Sequence, residues 1–195
     1  MKKVYIIHGW EANPNQHWLP WLGRELQDKG FEIFIPEMPN TEEPDIDSWV
    51  ERLKELVGTP DQNTYFVGHS IGCQTIMRYL ESLPERSKIG GIVFVAGWFY
   101  LENLESPEVE KIAEPWLNIP IDTDKVKGVC SRINVLLSDD DYFGCIEKNK
   151  LAFEQRLNAK VDIYHNYGHF CEDDGKFELP EALEAVLKIV EENRK

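Results

Sequence analysis

At 195 residues the chain is long enough for one domain with a substantial core, and its 42% hydrophobic and 29% charged residues are ordinary for a globular protein in water. A net charge of −14 removes the basic footprint of a nucleic-acid binder and disfavours anionic membranes. No basic-then-apolar leader opens the chain and no apolar run nears membrane-spanning length. The four cysteines (Cys73, Cys130, Cys145, Cys171) form no Cys-x-x-Cys pair, so a cytoplasmic protein with reduced thiols is expected.

Val4 to Ile7 is a continuously apolar run, as in a strand covered on both faces, and it ends in His8-Gly9-Trp10. Asn13-Pro14-Asn15 is loop chemistry. A helix is expected over His17 to Lys29, with Trp18, Leu22 and Leu26 on one face and Gly30 as its stop. Phe31 to Ile35 is the second strand, followed by a proline-rich loop, Pro36 to Pro44. Asp45 is placed to cap a helix whose Ile46, Trp49, Val50, Leu53, Leu56 and Val57 keep a 3.6-residue period. Thr64 to Gly68 is the third strand and Gly91 to Ala96 the fourth. Residues 99–128 read as a small irregular or helical excursion over the sheet edge, within a single domain spanning 1–195. Ile133 to Leu137 is the fifth strand, Cys145 to Leu157 a helix and Lys160 to Tyr164 the sixth strand. A last helix starts near Pro180. Alternating strands and helices predict an α/β fold: a mostly parallel six-stranded sheet between two helical layers.

The chemistry centres on Gly68-His69-Ser70-Ile71-Gly72, a Gly-x-Ser-x-Gly turn between an apolar strand and a helix. Such a turn pushes the serine hydroxyl out, with the N-terminus of the helix aimed at whatever binds there. A serine hydroxyl needs a base, the base is best a histidine, and the histidine needs a carboxylate on its other nitrogen. After Ser70 the chain offers the Asp139-Asp140-Asp141 run and then His169, which is the chain order of an α/β-hydrolase triad. Each segment follows a strand, so all should meet on one rim of the sheet. Three adjacent carboxylates repel, and at most one can face the histidine. The run lacks the alternating ligands and glycine turn of a calcium loop, so no metal is expected, and no cofactor is needed. The Ile71 N–H should be one oxyanion donor and the Trp10 N–H the other. Trp10 and Trp98 follow strands on this rim and are candidates to line an apolar pocket. His8 is expected to be structural and His69 to pack behind the turn. His17 and His165 show no evident role.

With Met38-Pro39, the Ser70 turn, Met77-Arg78-Tyr79, Ser138 to Phe143 and Gly168-His169-Phe170 together, the chain resembles the small α/β-hydrolases of the retinoblastoma-binding serine hydrolase family over essentially its whole length. The resemblance implies the α/β-hydrolase fold, with the first strand running directly into the oxyanion loop, and an esterase-like or peptidase-like activity. It also implies that the catalytic carboxylate is Asp141, two residues before Phe143. Two features depart from that family. His8-Gly9-Trp10 stands where the best-known relative has a proline-led, glycine-rich loop, and the Leu-x-Cys-x-Glu segment tied to retinoblastoma binding is absent. Phe143-Gly144-Cys145-Ile146-Glu147 lacks the leucine and is expected to open a helix, so that partner is not carried over. The expected function is hydrolysis of small carboxylic esters through an acyl-enzyme. A thioesterase, acyltransferase or peptidase on the same triad, and a non-catalytic binding module, are the alternatives.

Overall fold

The computed structural model describes residues 1–194. Six strands form one sheet: β1 (Lys3–Ile7), β2 (Glu32–Phe34), β3 (Thr64–His69), β4 (Gly91–Val95), β5 (Ile133–Ser138) and β6 (Lys160–Tyr164). Every neighbouring pair is parallel, in the order β2-β1-β3-β4-β5-β6. The chain direction therefore points every strand's carboxyl end to one rim. The four central strands are buried along almost their whole length, which explains their unbroken apolar sequences. The edge strands β2 and β6 are only partly buried.

Alternation along the strands sorts the core onto two faces. Val4, Ile6, Val67, Val93 and Leu136 pack under α1 (Leu19–Asp28) and α7 (Pro180–Glu192). Tyr5, Ile7, Phe66, Phe94, Val135 and Leu137 pack under α2 (Ile46–Val57), α3 (Ile71–Glu81), α5 (Thr123–Val129) and α6 (Ile146–Leu157). Each of these fully buried aliphatic or aromatic side chains is worth about 1.5–3 kcal/mol relative to exposure. Asp45 caps α2 as expected, its Oδ1 accepting from the Ser48 N–H at 2.9 Å, a contribution of about 1 kcal/mol.

Two helix starts differ from expectation. The first helix opens at Leu19, not His17, because His17 has φ 57° and belongs to the loop. Similarly, Cys145 has φ 58° and stands just outside α6. The 99–128 segment is more regular than its prolines suggest, holding α4 (Pro107–Asn118) as well as α5. Pro107 sits in the first turn of α4, where its missing N–H costs nothing, while Pro115 lies inside that helix. A buried cation steadies the far end. Arg78 on α3 donates to the Trp116 and Ile119 carbonyls at 3.0 and 2.8 Å, at the negative end of the α4 dipole.

Candidate active site

Ser70 lies at the sharp turn between β3 and α3, with φ 53° and ψ −121°. This conformation is costly for any residue with a side chain, and the surroundings enforce it. The Ser70 N–H donates to the Val95 carbonyl at 3.0 Å. Gly72 lies so close to β1 that an added Cβ would sit 2.5 Å from the Ile7 oxygen and 2.7 Å from the His8 oxygen. That contact brings the start of α3 against the loop Gly9-Trp10. Neither the Trp10 N–H nor the Ile71 N–H has a hydrogen-bond partner among the described residues, so both remain available to a ligand.

His169 and Asp141, 28 residues apart in sequence, meet with Nδ1 and Oδ2 at 2.8 Å, and both side chains are buried. The other Asp141 oxygen accepts from the Phe143 N–H at 3.0 Å, which fixes the carboxylate's direction. With Nδ1 donating to Asp141, Nε2 of His169 is left as an acceptor. The two other aspartates face elsewhere. Asp139 pairs with His165 at 2.6 Å on the surface, where their hydrogen bond lowers the carboxyl pKa and raises that of the imidazole. Asp140 accepts from the Ser138 hydroxyl at 2.6 Å and from the Gly168 N–H at 2.9 Å, and these bonds pull its pKa down.

The loop that carries His169 is tied at nearly every backbone group. Ser138 Oγ accepts from the Tyr167 N–H at 2.9 Å. Asp174 Oδ2 accepts from the His169 and Cys171 N–H groups at 2.9 and 3.0 Å. Gly168 has φ 54°, and an added Cβ there would fall 2.1 Å from an Asp174 oxygen. His69 Nε2–H donates to the His169 carbonyl at 2.8 Å, and Trp18 Nε1–H donates to the Phe170 carbonyl at 3.1 Å. His69 is thus a strut behind the turn. Its Nδ1 is buried without a partner, and burial holds its pKa well below the ordinary histidine value. His8 is structural too: Nδ1 donates to the Gly9 carbonyl at 2.8 Å, and Nε2 accepts from the Met38 N–H at 3.1 Å.

Ser70, His169, Trp10, Ile71 and Trp98 all line one cavity of about 190 Å³. That is smaller than the roughly 300–1,000 Å³ of clefts that hold drug-sized ligands. One wall is apolar and comes from Trp98, Leu101, Leu104, Val109 and Phe143. Sequence reasoning missed Leu101, Leu104, Val109, Cys171 and His17 as cavity residues. The apolar ones lie in a segment without strand periodicity, and His17 carries no motif at all. Among the described residues, no group of three His, Cys, Asp or Glu side chains is arranged to hold a metal ion. No described helix is long and apolar enough to cross a membrane.

A family model described as serine hydrolase matches residues 4–188, nearly the whole chain. The chain belongs to this serine hydrolase family. It is 34% identical to the YdeN protein of Bacillus subtilis (strain 168) over 92% of this chain and 91% of that one. The crystal structure of the B. subtilis ydeN gene product superposes with a TM-score of 0.88, at 31% identity, over 98% of this chain and 100% of the other. The serine hydrolase RBBP9 of Rattus norvegicus is a more distant relative, 27% identical over 78% of this chain and 77% of its own length. These matches agree with the α/β-hydrolase fold and the serine hydrolase resemblance expected above, and with hydrolysis as the broad activity.

Proposed function

We propose that the protein hydrolyses small carboxylic esters, with Ser70 as nucleophile, His169 as general base and acid, and Asp141 as the group that orients His169. The carrying observation is the meeting at one small cavity of a strained turn serine and a histidine whose Nδ1 is already held by a buried carboxylate. Ser70 Oγ attacks the carbonyl carbon and passes its proton to His169 Nε2. The carbonyl oxygen becomes an oxyanion held by the Trp10 and Ile71 N–H groups. The intermediate collapses to an acyl-serine, and the departing alkoxide takes the proton from His169. Water then repeats the sequence and releases the acid. The size of the cavity and its apolar wall favour a short, uncharged acyl group.

A panel of short- and long-chain esters, thioesters and aminoacyl amides tests this. The proposal expects turnover of short esters that survives EDTA and disappears in Ser70→Ala. Preferred turnover of thioesters or amides would move the substrate class. Turnover retained in Ser70→Ala would remove Ser70 from the mechanism, and no turnover of any substrate would favour a binding role.

A further inference from the structure

His17 shows no role in sequence, yet it is built into the cavity with unusual care. It lines the same space as Ser70 and His169. Its backbone is held at φ 57°, a region that costs a residue with a side chain roughly 1 kcal/mol or more. Glu172 clamps it from both sides. The Glu172 carboxylate accepts from the His17 N–H at 2.6 Å, and the Glu172 N–H donates to His17 Nδ1 at 3.1 Å. The second bond fixes the tautomer. A ring that accepts at Nδ1 carries its proton at Nε2. Burial lowers the pKa of the ring, and the neighbouring His169 works in the same direction against Glu172, Asp173 and Asp174. Nε2 has no hydrogen-bond partner among the described residues and is not sealed from solvent, and the residue that carries it lines the cavity.

We infer that His17 reads the leaving alcohol of the substrate, presenting Nε2–H as a fixed donor to an acceptor oxygen on that group. The inference rests on the acyl-transfer reading of Ser70. The side is set by chemistry, because His169 must hand its proton to the leaving oxygen, so the alcohol departs on the His169 side of Ser70. His17 is near enough to His169 for charge on one ring to bear on the other. Its ring lies 5.4 Å from that of His69, which in turn lies 5.3 Å from that of His169. Trp98 and Leu101 pack with the core on the opposite face of the sheet from α1, and with Leu104 and Val109 they give the cavity an apolar lining that suits the acyl part. The substrate class is therefore a short acyl ester of an alcohol that carries an ether, hydroxyl or carbonyl oxygen.

Butyl and 2-methoxyethyl butanoates are a matched pair, equal in size and differing by one acceptor oxygen in the alcohol. Normalised to alkaline hydrolysis, wild-type kcat/KM should favour the methoxyethyl ester by about threefold to tenfold, the range of one net hydrogen bond. His17→Phe should abolish that preference and His17→Gln, which keeps an N–H at similar reach, should restore most of it. A preference unchanged in His17→Phe, or absent in the wild type, overturns the inference. If neither ester turns over, the acyl-transfer reading fails, and the donor is still read by ¹⁵N NMR. His17 should then be the neutral Nε2–H form at about pH 8, with its Nε2 resonance moved by 2-methoxyethanol and not by butanol. A charged ring, an Nδ1–H tautomer, or equal shifts with both alcohols would overturn the inference.

Discussion

The two ends of the sheet carry opposite kinds of loop. Ten residues other than glycine have positive φ, and nine of them, among them Glu11, His17, Ser70, Ala96 and Phe170, lie in loops that follow strands. The tenth is Asn158, a helix-ending residue of a type that tolerates this conformation. All five histidines are also at the carboxyl end. The amino end holds the larger cavity, about 600 Å³, lined by Lys2, Lys88, Lys127, Arg132 and Arg194 and, among the described residues, by no acidic side chain. Among the described residues it contains no residue other than glycine at positive φ and no histidine. Cavity size alone would favour the end opposite the proposed site. Strain and fixed proton positions separate a rim built for chemistry from one that only turns the chain round.

The largest effects should fall on the carboxyl rim. Asp141→Asn is expected to lower kcat by about 10²–10⁴, since it leaves His169 with the wrong tautomer, while Asp140→Asn loses about tenfold or less through the Gly168 contact and Asp139→Asn least. Steady-state kinetics on proteins of equal circular dichroism checks the order, and a dead Asp140→Asn beside an active Asp141→Asn would reverse the assignment. Glycines give the next contrast. Gly72→Ala drives a methyl into two backbone carbonyls and should cost about 3 kcal/mol or more in urea unfolding. At the amino end Gly128, inside α5, has open space where a Cβ would go, and Gly128→Ala should stabilise by about 0.5–1 kcal/mol. Equal effects at the two sites would erase the distinction between the ends.

Acid should weaken the carboxyl rim by a smaller amount. His8, His17 and His69 have pKa values lowered by burial. The unfolded chain binds protons at these sites once the pH falls below about 6.5, while the folded chain resists, so stability drops from that point downward. His69→Gln keeps an N–H for the His169 carbonyl and removes one titration. It should reduce the loss between pH 7 and 5 by about 1–2 kcal/mol, read as a flatter dependence of the urea midpoint. An identical slope in the two proteins would mean that His69 titrates alike in the folded and unfolded chains.

Much of the architecture was legible because long-range and local signals agreed. The apolar strands, the Asp45 cap and the Ser70 turn each have a local cause, and alternation of strands and helices fixes a parallel sheet. The residues that follow strands could be brought to one rim before any coordinates. Asp141 was different, because composition and chain order leave the three adjacent aspartates equivalent and only the family resemblance, through the spacing to Phe143, singled it out. Their separation depends on where Phe143, Ser138, His165 and Gly168 stand in space. His17 and Asp174 were invisible for the same reason. Their partners, Glu172 for the first and the His169 loop for the second, are set by how the chain returns to the rim after β6. Helix periodicity also misled at His17, whose positive φ places it outside α1.

The most direct measurement is the intact mass of the protein after treatment with a small alkyl fluorophosphonate, for the wild type, Ser70→Ala and His169→Ala. The account predicts one phosphonyl adduct on the wild type, located to Ser70 by peptide mapping, none on Ser70→Ala, and labelling slowed by at least ~10²-fold in His169→Ala. Equal adducts on the wild type and Ser70→Ala, or undiminished labelling without His169, would contradict the claim that this turn, histidine and carboxylate form one nucleophilic site.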